Sequence, residues 1–135
     1  MLLGSEEYLQ EAKERLNEDV TYADHAKDVE DSYTLVFQAE PAKGIDESLV
    51  LGFQISHGKM TDAWLGDKKT DFILSAPYGV FVDILTGNLN VTKAFITRKL
   101  KIKGSLARLL KTSKATERFV DVLRTIPTEF EGEYQ

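Results

Sequence analysis

With 135 residues, 42% of them hydrophobic and few Gly or Pro, the chain is long enough to bury one hydrophobic core and gives no case for a long disordered tract. The lack of cysteine excludes a disulfide framework, thiolate chemistry and Cys-based zinc sites. The formal charge of −5 is unevenly spread: residues 1–50 carry a net −9 and residues 91–135 a net +5.

The start, MLLGSEEYLQEAKERL, lacks the pattern of a signal peptide, and no stretch approaches about 18 consecutive apolar residues. The expected location is the cytoplasm. A first helix is predicted over 5–17: Ser5 can cap it, Glu6 and Glu7 suit its first turn, and Leu9, Ala12 and Leu16 form one narrow apolar stripe. Residues 22–31 can hold a short second helix.

The period then changes to two. Tyr33, Leu35, Phe37 and Ala39 alternate with Thr34, Val36 and Gln38, which predicts a strand. Leu49, Leu51, Phe53 and Ile55 repeat the pattern. His57-Gly58 offers a tight turn into a third strand at MTDAWL, and Gly66-Asp67 a turn into a fourth at TDFILSA. The short connections predict an antiparallel meander of these three strands. Pro77 opens a helix carrying Phe81, Ile84 and Leu85, stopped at Gly87. NLNVTKAF continues as loop or short helix. In RKLKIKG, Lys99, Lys101 and Lys103 oppose Leu100 and Ile102, predicting a fifth, edge-like strand. Leu106, Leu109 and Leu110 share a helical face. A final helix over 113–126 ends before Pro127, and 127–135 reads as a flexible tail. The whole is one α+β domain: a five-stranded, mostly antiparallel sheet with helices packed on one face.

Lys93 to Lys114 holds eight bases and no acid. Such a face can meet an anionic partner, pair with the acidic N-terminal helix, or simply face water. Nucleic acid is not expected, because no aromatic residues interleave with the lysines and no reader motif is present. Catalysis is not expected either. His25 and His57 are not spaced as metal ligands, no serine sits in a nucleophile elbow, and Asp62, Asp67 and Asp71 read as turn residues. No metal or cofactor site is expected.

Two stretches carry a family resemblance. FVDILTGNLNVTKAFITRKLKIKGSLARLLK, Phe81 to Lys111, resembles the signature region of the type-two sterol carrier family. The upstream GKMTDAWLGDKKTDFILSAPYG resembles that family's Trp-containing strand pair. The resemblance covers about half of the chain and is specific as a combination. Two positions depart from the pattern. Arg98 replaces the glycine that usually opens the Gly-Lys-Leu-Lys turn, and Ser105 replaces an Asp or Asn but still caps a helix well.

The resemblance implies a hydrophobic cavity between sheet and helices and binding of fatty acids, acyl-CoA, phospholipids or sterols. It makes Phe81, Leu85, Phe95, Ile102, Leu106, Leu109, Leu110, Phe119 and Leu123 the candidate lining, although the same residues can be ordinary core. Trp64 and Tyr78 are candidate rim residues. Arg98, Lys99, Lys101 and Lys103 are candidates for docking on head groups or an anionic membrane surface. The expected function is non-catalytic lipid binding or transfer. The alternatives are an interaction module or homodimer using the helical apolar face, and a substrate-presenting subunit of a lipid enzyme.

Overall fold

A computed structural model describes all of Met1–Gln135. The chain folds as α1 (Glu6–Glu18), α2 (Val20–His25), β1 (Glu30–Gln38), β2 (Leu49–Ser56), β3 (Lys59–Leu65), β4 (Phe72–Pro77), α3 (Tyr78–Leu85), α4 (Val91–Ile96), β5 (Lys101–Lys103), α5 (Leu106–Lys111) and α6 (Ser113–Leu123). The five strands form one sheet in the order β3-β2-β1-β4-β5. The pairings are antiparallel except β1 with β4, which is parallel.

That parallel pairing corrects the meander expected for the second, third and fourth strands. Only β2 and β3 form a hairpin, through His57 (φ 49°) and Gly58 (φ 82°), the left-handed pair that a two-residue turn requires. From β3 the chain crosses three strand spacings and starts β4 on the far side of β1. Leu65 lies level with Leu35, and Phe72 level with Tyr33, so the crossing retreats little along the strands. It spans roughly 16 Å, well within the reach of the intervening residues at about 3.3 Å each. The crossing runs over the sheet face away from the helices. There the Thr34 hydroxyl meets Thr70 Oγ1 at 2.8 Å and donates to the Lys68 carbonyl at 3.3 Å, which buries Thr34 inside the central strand. The apolar side of β4 (Phe72, Leu74, Ala76) drives this arrangement, since next to β1 it joins the central core rather than an edge.

The helices cover the other face. Ser5 caps α1, accepting from the Tyr8 N–H at 3.1 Å, and Tyr8, Ala12 and Leu16 are its buried side. Asn17 ties α1 to the outer strand, exchanging hydrogen bonds with the backbone of Met60 at 2.7 and 3.0 Å. Asp19 caps α2 and also accepts two hydrogen bonds from Arg118, at 2.6 and 2.8 Å, which fastens α2 to α6. Those bonds from Arg118, before its charge, hold the Asp19 carboxyl below the usual carboxylate range.

Several boundaries differ from the expected ones. α2 stops at His25 because β1 begins at Glu30, the fifth strand shrinks to three residues, and the last helix ends at Leu123. The tail of 127–135 is not a free end. Leu3 N–H donates to the Glu129 carbonyl at 3.0 Å, and the Tyr134 hydroxyl donates to Glu40 at 2.7 Å while its ring lies 5.8 Å from that of Tyr78. Phe130 and Tyr134 pack against the core, and these two aromatic residues outweigh the polar composition of the segment.

Arg98 sits in the left-handed region at φ 61°, in the position where the family pattern has glycine. A Cβ in that conformation costs roughly 1–2 kcal/mol. Arg98→Gly is therefore expected to stabilise the domain by about 1 kcal/mol, part of the gain being offset by the greater freedom of unfolded glycine. The measurement is the midpoint of urea unfolding, which should rise with unchanged slope.

Candidate ligand-binding cavity

The β1 sequence Tyr33-Thr34-Leu35-Val36-Phe37 sets the shape of the interior. Tyr33 stacks between Phe53 of β2 (4.9 Å) and Phe72 of β4 (5.4 Å), so an aromatic row crosses three strands. Two residues on, Leu35 stands between Leu51 and Leu74 in the same register. Two residues further, Phe37 stacks on Phe81 of α3 at 4.0 Å. A row of leucines thus lies between that aromatic row on one side and the Phe37–Phe81 stack on the other. The side chains there are too short to meet the helices, and an apolar hollow of about 120 Å³ remains. Leu35 is in the central strand on the helix-facing side, yet it is only half-buried.

The roof is α6. Ala115, Thr116, Phe119, Val120 and Leu123 face the hollow at helical spacing, and Phe119 stacks on Phe53 at 5.1 Å. Leu85 and Phe81 from α3, Phe95 from α4 and Leu109 from α5 complete it. Of 27 lining residues 25 are hydrophobic, and the two others, Thr112 and Thr116, spend their hydroxyl protons on the Leu109 and Thr112 carbonyls. Such walls suit an apolar occupant and hold no charged side chain that could pair with an ionised one.

Six of the nine candidate lining residues are therefore at the hollow: Phe81, Leu85, Phe95, Leu109, Phe119 and Leu123. Three are not. Ile102 faces the helix layer beside Leu74 but lies outside the hollow, Leu110 is half-buried elsewhere, and Leu106 is 38% exposed. α5 is under two turns long and buries only Leu109, an orientation set by its flanking turns rather than by periodicity. The two rim assignments are also corrected. Trp64 lies on the opposite face of the sheet, across Gly52, where an added Cβ would come within 2.6 Å of the indole. Tyr78 is buried, and its hydroxyl accepts from the Glu131 N–H at 3.2 Å, so it offers no free rim hydroxyl. Arg98, Lys99, Lys101 and Lys103 are all exposed. The sheet floor is the part missed from sequence. Its signal was the tall-short-tall order of Tyr33, Leu35 and Phe37 on one strand face.

Three buried tyrosines, Tyr8, Tyr22 and Tyr33, also line the hollow. Burial pushes the Tyr8 hydroxyl up to about 12 and raises Tyr22 and Tyr33 as well. The folded state thus favours neutral phenols. Their contribution is intact below about pH 10, the unfolded value, and is lost as pH rises toward the folded values. Stability should fall above pH 10 by roughly 1.4 kcal/mol per pH unit for each tyrosine. In a spectrophotometric titration, phenolate from these three should appear together with loss of the fold.

The family model for the SCP-2 sterol transfer family matches residues 9–117. Among solved structures, the crystal structure of a sterol carrier protein 2 superposes with a TM-score of 0.83 at 24% identity, covering 92% of this chain and 98% of that one. The solution structure of a conserved hypothetical protein from Thermus thermophilus superposes at 0.85 with 26% identity, covering 96% and 92%. Sterol carrier protein 2 from Aedes aegypti, solved in complex with palmitate, superposes at 0.56 with 19% identity, covering 90% and 98%. These likenesses show the shared fold. No curated protein matches the chain in sequence.

Proposed function

The chain belongs to the SCP-2 sterol transfer family, and from that membership we propose that it is a cytoplasmic, non-catalytic carrier that takes a single lipid-like molecule, such as a fatty acid, into the hollow above Leu35. The observation that carries this reading is the leucine floor between the Phe53–Tyr33–Phe72 row and the Phe37–Phe81 stack, an apolar space left open between sheet and helices. Its walls place no histidine, lysine or carboxylate where a proton would have to move, which favours a carrier over an enzyme. Affinity then comes from apolar burial, roughly 0.8 kcal/mol per methylene, and selectivity from length and girth alone.

At about 120 Å³ the hollow is smaller than the roughly 300–1,000 Å³ of pockets that enclose drug-sized ligands. Uptake of a whole acyl chain therefore needs the roof to move. The roof helix α6 is the element to do so: Thr112 gives its start no side-chain cap, and movement requires release of the Arg118–Asp19 bonds that hold it to α2. Between trips the carrier meets a lipid surface only transiently.

The test is native mass spectrometry and thermal unfolding of the delipidated protein with palmitate. A one-to-one adduct and a stability gain of about 2.7 kcal/mol at a hundredfold excess over Kd are expected. No adduct and no change in Tm would overturn the reading.

A further inference from the structure

No base of the Lys93–Lys114 stretch forms an ion pair with the acidic helix α1. α1 is fastened to β3, one edge of the sheet, whereas β5 is the opposite edge, four strand spacings or roughly 19 Å away. Of the eight bases between Lys93 and Lys114, only Arg108 is in an ion pair, with Asp31. Lys93, Arg98 and Lys99 are exposed and unpaired around the C-terminal end of α4. Amid them stands Ile96, 63% exposed, an apolar side chain that neither core nor neighbouring helix covers.

We propose that this end of α4, with the adjoining β5 edge, is the face by which the protein docks on an anionic lipid bilayer, Ile96 entering the head-group layer and Lys93, Arg98 and Lys99 engaging the phosphates. The proposal rests on the carrier reading and adds the docking surface to it. Three features favour a bilayer over a folded partner. The bases surround one protruding aliphatic side chain rather than a groove. No counter-charge pre-orders them. The acidic helix α1, with five glutamates against Lys13 and Arg15, lies at the opposite edge of the sheet and so faces away from an anionic surface that this edge approaches. The same short helix also connects surface and cargo: Phe95 lines the hollow and its neighbour Ile96 points out. Movement of α4 on docking therefore acts directly on the cavity wall.

The experiment is flotation with vesicles of phosphatidylcholine alone and with about 30 mol% phosphatidylserine. Each base near such a surface is worth about fivefold in partitioning. The variant Lys93→Gln, Arg98→Gln, Lys99→Gln should lose about a hundredfold on anionic vesicles while binding soluble palmitate as before. Because the chain has no cysteine, Ile96→Cys accepts a polarity-sensitive label at one position. Its emission should shift to the blue on anionic vesicles, and a label at Glu14→Cys on α1 should not respond. Palmitate binding without any preference for anionic vesicles, a response at Glu14→Cys rather than Ile96→Cys, or equally tight binding to short duplex DNA at the same salt would each overturn the docking face. Failure to bind palmitate in solution would instead overturn the carrier reading.

Discussion

Leu35→Trp should reduce palmitate affinity a hundredfold or more and at the same time raise thermal stability. The two changes share one cause. A hollow of about 120 Å³ costs the fold roughly 3 kcal/mol at about 24 cal/mol per Å³. The half-buried Leu35 is on its floor between Leu51 and Leu74, so an indole there fills the space between the Tyr33 row and the Phe37–Phe81 stack and recovers part of that cost. Its roughly six added heavy atoms take the place of a similar run of ligand methylenes, about 5 kcal/mol of transfer free energy before repacking. A substitution that merely damages the domain lowers affinity and Tm together. Here they move in opposite directions, which makes the outcome diagnostic. Ala115→Phe fills the same space from α6 and should behave alike. If both variants fold and bind palmitate as well as the unaltered chain, the ligand lies elsewhere.

The largest loss of stability is expected at Arg108. Asp31 points from β1 toward the helices, is 5% exposed, and has Arg108 as its side-chain partner, whose guanidinium also lies 5.4 Å from the centre of the Phe72 ring. Arg108→Ala strands a buried carboxylate, a change that costs about 3–5 kcal/mol. Arg108 is itself half exposed, so water can enter the vacated space and the lower end applies. A fall in Tm on the order of 10 °C follows for a domain of this size. The double variant Asp31→Asn, Arg108→Met should recover most of it, because neither charge is then left alone. Equal losses in the single and double variants would mean that Arg108 acts through packing on Phe72 rather than through the ion pair. The pair holds α5, so the single variant should also release ligand faster through the displaced Leu109.

Much of this molecule is legible along the chain because its periods are local. The alternation at Tyr33–Phe37 and Leu49–Ile55 identifies two strands, Ser5 and Ser105 stand at helix starts, and the tall-short-tall order on β1 already contains the hollow. The exposed lysines of β5 follow from the same alternation. Tertiary structure decided what depends on relations between distant segments. That the chain leaving β3 passes over β2 and β1 to place β4 parallel with β1 is a competition among edges for the most apolar burial, and no single segment encodes the winner. Whether Leu109 rather than Leu106 or Leu110 faces the cavity depends on how two turns aim a helix of six residues. The ion pair of Asp31 with Arg108 joins residues 77 apart, and the docking of Tyr134 on Glu40 spans 94. Composition and spacing set which faces are apolar or charged; only the packed fold, by closing those long loops, chooses which of them meet.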